Sequence, residues 1–190
     1  MLRTIIQGDP DFESQLKALV DRSAAMPESI ESSARAIVAE VRRRGDGALR
    51  ELTWRFEARV LDAIELPRGD WQAAAASVPA PVRAALAEAA ARIRRYHEGE
   101  HYQSYQTDEA GIRLACRYSP LARVGLYVPG GTALYPSTVL MTALPAKVAG
   151  VSEVFMTTPG PSPETLAAAL EAGVDRIFLV GGAQAIAALA

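Results

Sequence analysis

Along residues 1–120, apolar side chains return every three or four positions, the spacing of one face of a helix. Phe12, Leu16, Leu19 and Val20 form the first such stripe, with Asp11 placed to cap it. In PESIESSARAIVAEVRRRGD the stripe is Ile30, Ala34, Ile37, Val38 and Val41. Gly45 stands where a helix ends on a left-handed residue, and three arginines suit the negative end of its dipole. Asp46 is expected to cap GALRELTWRFEA, whose Leu49, Leu52 and Phe56 would face inward. A short strand-like VLDAIELP follows. The Ala-rich block from Trp71 to His97 predicts two helices broken at Val78-Pro79-Ala80-Pro81, because proline disfavours the helical conformation in the residue before it. The second of these presents Val82, Leu86, Ala89, Ile93 and Tyr96.

Near residue 112 the period changes. RLACRYSPL and RVGLYV read as extended, and from there apolar strands alternate with helical segments. The spacing predicts a strand at Arg123–Val128, a helix over 137–149, a strand at Glu153–Thr158, a helix over 163–172, a strand at Arg176–Val180 and a last helix. Apolar strands with a helix in each gap imply βαβ units and a parallel sheet. The expected fold class is α/β: a mainly helical N-terminal region over 1–122, then the start of an incomplete Rossmann-like parallel-sheet domain over 123–190.

Composition narrows the function. With 49% hydrophobic residues, 22% charged residues and a net charge of −2, the chain has the make-up of a soluble globular protein. That balance gives no support for nucleic-acid or anionic-membrane binding, which a basic patch would provide. The clusters Arg42-Arg43-Arg44 and Arg92, Arg94, Arg95 have acidic neighbours and read as solvated helix faces. No charged segment leading into an apolar stretch opens the chain, and no apolar run of about 18 residues occurs, so neither a signal peptide nor a membrane span is expected. The single Cys116 excludes an internal disulfide framework, and these features together predict a cytoplasmic protein. His97 and His101 could share one helix face, but Gly99 between them argues against a metal there.

Two strand ends carry unusual turn chemistry. In open parallel sheets, ligands bind beyond the carboxyl ends of the strands, where helix N-termini offer free N–H groups. Tyr127-Val128-Pro129-Gly130-Gly131 suits a type II turn, with the second glycine admitting close approach, and Ser137 or Thr138 is placed to cap the helix that follows. IFLVGGAQAIAALA places Gly181-Gly182 after a strand and Gln184, an amide in an apolar stretch, in the first turn of a helix. An amide both donates and accepts, which suits a ligand amide or hydroxyl. Double glycines after strands also serve as plain tight turns, and a glutamine near a helix start also serves as a local cap. Neither the Rossmann glycine fingerprint nor the P-loop is present.

VGLYVPGGTALYPSTVLMTALPAKVAGV and VGGAQAIAALA closely resemble the histidinol dehydrogenase family. RRRGDGALRELTWRFE resembles that family's N-terminal helical region, and PLARVGLYVPGG its entry into the nucleotide-binding domain. The resemblance covers nearly the whole chain. It implies a zinc- and NAD-dependent, four-electron oxidation of L-histidinol to L-histidine through histidinaldehyde, at the end of histidine biosynthesis, by a homodimer with exchanged segments. By position, Tyr127 and Gln184 match NAD contacts, and Pro129 and Phe56 would line the adenine or ribose region. For Phe56 the alternative is that it packs its own helix. Ser137 matches a position near the substrate pocket, with helix capping as its alternative. The same resemblance places the zinc ligands (Gln, His, Asp, His), the Glu-His acid–base pair and most of the histidinol pocket beyond residue 190. No catalytic or metal-binding residue is therefore expected in this chain, and it should be inactive alone. Two other readings remain: a sister dehydrogenase resembling sulfopropanediol 3-dehydrogenase, or a non-catalytic nucleotide-binding or interaction module.

Overall fold

The computed structural model describes residues 4–21, 27–100, 102–130 and 134–190. Among these, the helical part contains α1 (Phe12–Asp21), α2 (Glu28–Arg44), α3 (Asp46–Glu57), α4 (Arg68–Ala76) and α5 (Ala80–His97). A hairpin of β1 (Tyr105–Glu109) and β2 (Ile112–Cys116) follows. The alternating part runs β3 (Arg123–Tyr127), α6 (Pro136–Val148), β4 (Glu153–Thr157), α7 (Pro163–Ala172), β5 (Arg176–Phe178) and α8 (Gly182–Leu189).

The three later strands form one parallel sheet in chain order, β3-β4-β5, with Val124 opposite Val154 and Met156 opposite Ile177. Successive side chains alternate faces, so the strands divide their residues between two cores. Val124, Leu126, Val154, Met156 and Ile177 join the larger core with Val139, Leu140 and Leu144 of α6, Leu166 of α7 and Trp71 of α4. On the opposite face, Leu189 of α8 lies directly over Gly125, where a β-carbon would come within 2.9 Å of its side chain. There α8 meets α2 and α3 through Val41, Leu49, Leu52, Val180 and Ala185. Phe155, on the same face, is flanked by the guanidinium groups of Arg123 and Arg176, which sit 5.0 and 5.2 Å from its ring centroid. Both cores thus combine helices from before residue 122 with elements from after it.

Several local expectations change. The α1 helix forms, yet none of its residues is buried. Gly45 does end α2 in the left-handed region (φ 54°), but it is also the N-cap of α3, which leaves Asp46 inside the first turn instead of capping it. Phe56 does not face inward; it is 54% exposed. The N-cap of α6 is Tyr135, with Pro136 opening the helix, so Ser137 and Thr138 lie within it and do not cap it. Gly130 is not among the glycines with positive φ, so Pro129-Gly130 is not a type II turn. VLDAIELP forms a single antiparallel bridge, Glu65 to Phe178, in place of a full strand. Both arginine clusters are ion-paired at the surface, Arg43 and Arg44 with Glu40 at 2.6 and 2.7 Å, and Arg92 with Glu88. His97 Nδ1 lies 2.6 Å from a Glu100 oxygen, while His101 and Gly131 fall outside the described residues.

Candidate functional site

At the carboxyl ends of the three parallel strands, the loops converge. The loop after β3 brings Gly130 against the loop after β4, so closely that a β-carbon on Gly130 would lie 1.9 Å from the Pro159 carbonyl oxygen. The loop after β5 brings Gly181 to the same proline, where a β-carbon on the glycine would lie 2.9 Å from Pro159 Cγ. Thr157 locks two of these ends together by donating its hydroxyl to the Val180 carbonyl at 2.6 Å. The result is an open cleft of about 560 Å³ between the strand ends and the last turn of α3.

Tyr127 and Gln184 both line this cleft. The Gly182 N–H donates to the Tyr127 hydroxyl oxygen at 3.2 Å, which fixes the tyrosine over the start of α8. Gly182 has φ 66°, a left-handed conformation that side chains rarely adopt, and a β-carbon there would meet Gln184 Oε1 at 2.6 Å. Gln184 itself is 1% exposed, and neither its amide oxygen nor its amide nitrogen has a hydrogen-bond partner among the described residues. A buried polar group left unpaired costs about 1–3 kcal/mol, and Gln184 borders the cleft.

Phe56 lines the cleft too, with Ile37 nearby. Pro129 is exposed and Ser137 lies on the first turn of α6, and neither borders this cleft. Pattern reading singled out two strand ends and missed the third. Thr158-Pro159-Gly160 follows β4 directly, and its Pro-Gly was the available signal. It also missed Glu57 and Arg59, which line the cleft from the end of α3; no local pattern announces them. Among the described residues, no group of three or more His, Cys, Asp or Glu side chains is placed to hold a metal ion. No helix among them is long and apolar enough to cross a membrane.

A parallel sheet covered by helices on both faces, with a glycine-lined cleft beyond its strand ends, defines an α/β protein of the open parallel-sheet class. The family model described as histidinol dehydrogenase matches residues 20–190, and the chain belongs to that family. It is 52% identical to a histidinol dehydrogenase of Bordetella parapertussis over all of its own length and 45% of the relative's. It is 49% identical to one of Methylococcus capsulatus, again over 100% of this chain and 45% of the other. A crystal structure of histidinol dehydrogenase from Elizabethkingia anophelis superimposes with a TM-score of 0.79 at 28% identity, covering 86% of this chain and 39% of that one. The chain therefore spans less than half the length of these relatives.

Proposed function

We propose that the chain is the N-terminal portion of an NAD-dependent oxidoreductase that converts L-histidinol to L-histidine, and that the strand-end cleft is its share of the dinucleotide site. The buried, unpaired amide of Gln184 carries this reading. In this reading Gln184 supplies one donor and one acceptor to the cofactor. Tyr127 presents its ring and hydroxyl, and Phe56 offers a second aromatic surface in the lining. Gly130 and Gly181 let the three strand-end loops close on Pro159, and Gly182 leaves room for the Gln184 amide, which together shape the cleft wall. Pro129 and Ser137 would act from beside the cleft, on cofactor and substrate respectively. When bound, NAD supplies the hydride acceptor, and two hydrides must leave for an alcohol to become a carboxylate. The residues of this chain bind and orient the cofactor. A base must still take the alcohol proton, and the family resemblance places that group, with zinc, outside residues 1–190. The proposal extends to a homodimeric whole protein; the exposed apolar hairpin described below supports association.

The test is a calorimetric or NMR titration of the purified chain with NAD. Binding should be weak and should weaken further with Gln184→Ala, by about fivefold to tenfold for the loss of one buried hydrogen-bonding group. NADH formation from histidinol with added zinc should stay at background. A chain that shows no NAD response would favour a non-catalytic module, and turnover by the chain alone would overturn the assignment of the acid–base groups to sequence outside it.

A further inference from the structure

A charged pair sits in the wall of the cleft beside Gly181. Glu57 ends α3, and Arg59 follows Ala58, whose left-handed backbone (φ 50°) turns the chain out of the helix. Arg59 donates through Nε and Nη2 to one Glu57 oxygen, Oε2, at 3.2 and 2.8 Å. The same Nη2 donates to the Leu179 carbonyl at 2.8 Å, tying the pair to the end of β5. The other carboxylate oxygen, Oε1, takes no part in these bonds and faces Gly181, 3.1 Å from where its β-carbon would stand. The pair thus holds a carboxylate in a fixed orientation in the lining of the cleft, with one oxygen outside the ion pair.

Beside it, Phe56 turns its ring into the same cleft, although it is more than half exposed and buries nothing in the core. An aromatic face next to an oriented carboxylate is what an adenosine requires: a surface for the base and an acceptor for two vicinal hydroxyls. A carboxylate accepts from those hydroxyls but repels a phosphate ester in place of one of them. The guanidinium of Arg59 would attract such a phosphate, but Glu57 and the Leu179 carbonyl engage it. We propose that Glu57, anchored by Arg59, reads the adenosine ribose hydroxyls of the dinucleotide and selects NAD over its 2′-phosphorylated form. This rests on the cofactor reading given above.

The test titrates the 190-residue chain separately with NAD and NADP, following the backbone amides of Tyr127, Gly181 and Gly182 by NMR. NAD should bind about tenfold more tightly than NADP, the scale of a hydrogen bond to a charged group. Glu57→Gln should bring the two affinities within about threefold, chiefly by improving NADP, because Arg59 is then released to a phosphate. The ratio is read within one preparation and does not depend on the fraction folded. The wild-type ratio by itself can overturn the assignment, so a variant that fails to fold leaves the test intact. Equal wild-type affinities, or a preference unchanged in Glu57→Gln, would overturn the role of Glu57 while NAD binding at these amides upholds the cofactor reading. No response of these amides to either nucleotide would overturn both.

Discussion

At the scale of single residues, a β-carbon is the smallest probe of how tightly the strand ends meet. Gly130→Ala would place a methyl 1.9 Å from the Pro159 carbonyl oxygen, a backbone atom that cannot rotate away. One of the two loops must shift, and overpacking of this kind costs about 1–3 kcal/mol. Gly47 is the contrast. It lies in the first turn of α3 with nothing within 4 Å of its would-be β-carbon and without a positive φ. Gly47→Ala should therefore stabilise the chain by about 0.5–1 kcal/mol through the lower entropy of the unfolded state. Denaturant unfolding of the two variants should move the midpoint in opposite directions. Equal shifts would mean that the strand-end loops are looser than the geometry shows.

At the scale of elements, single polar groups join pieces that the hydrophobic pattern only brings near one another. Asp175 Oδ2 accepts from Lys147 of α6 and from the Val154 N–H of β4, both at 2.7 Å. Burial alone pushes its carboxyl up, but the Lys147 ammonium and the Val154 N–H outweigh that and hold it below the usual aspartate value. Glu65 is likewise held low by its hydrogen bonds from Arg176, which tie the 60–67 segment to β5. A carboxyl whose folded pKa is depressed contributes stability that is complete above its unfolded pKa, about 3.9 for aspartate. That contribution disappears as the pH falls through the lower folded value. Stability measured by denaturant unfolding should therefore drop below about pH 4, and Asp175→Asn should flatten that acid limb. An acid limb identical to that of the parent would refute the link. The start of α7 supplies a separate check. Ser162 accepts from the Thr165 N–H at 3.2 Å, and Ser162→Ala should cost about 1 kcal/mol in the same measurement.

At the scale of the whole molecule, the β1–β2 hairpin leaves apolar side chains exposed. Its register sets Tyr105 opposite Cys116, Thr107 opposite Leu114 and Glu109 opposite Ile112, so one face carries Tyr105, Leu114 and Ile112 together. Ile112 and Leu114 are 64% and 65% exposed. An apolar face left in water drives association. Sedimentation velocity should show self-association that rises with protein concentration, and Ile112→Thr with Leu114→Thr should suppress it while keeping residues suited to a strand. A compact monomer at every concentration would contradict this.

What the sequence determined by itself was the part governed by local period and local turns. A helix that buries one face must repeat its apolar residues every three or four positions, so α2 to α5 were legible. A strand covered on both sides must be apolar throughout, so β4 was legible, with Phe155 to Thr157 buried, and with it the parallel sheet. β1 was not, because Tyr105–Glu109 is exposed on both faces and nothing forces an alternation. Glycine after a strand pointed to Gly130, Gly181 and Gly182, but the reason differs from a turn preference. Gly130 is small because Pro159, 29 residues on, occupies the space its side chain would need. Tertiary structure alone decided what surrounds a residue. It turned Phe56 outward into the cleft, left no residue of α1 buried, and brought Arg59 to the carbonyl of Leu179, 120 residues away. Such contacts are set by how the two cores stack on the sheet. A one-dimensional pattern records that a residue is buried or polar; it does not record against which other part of the chain.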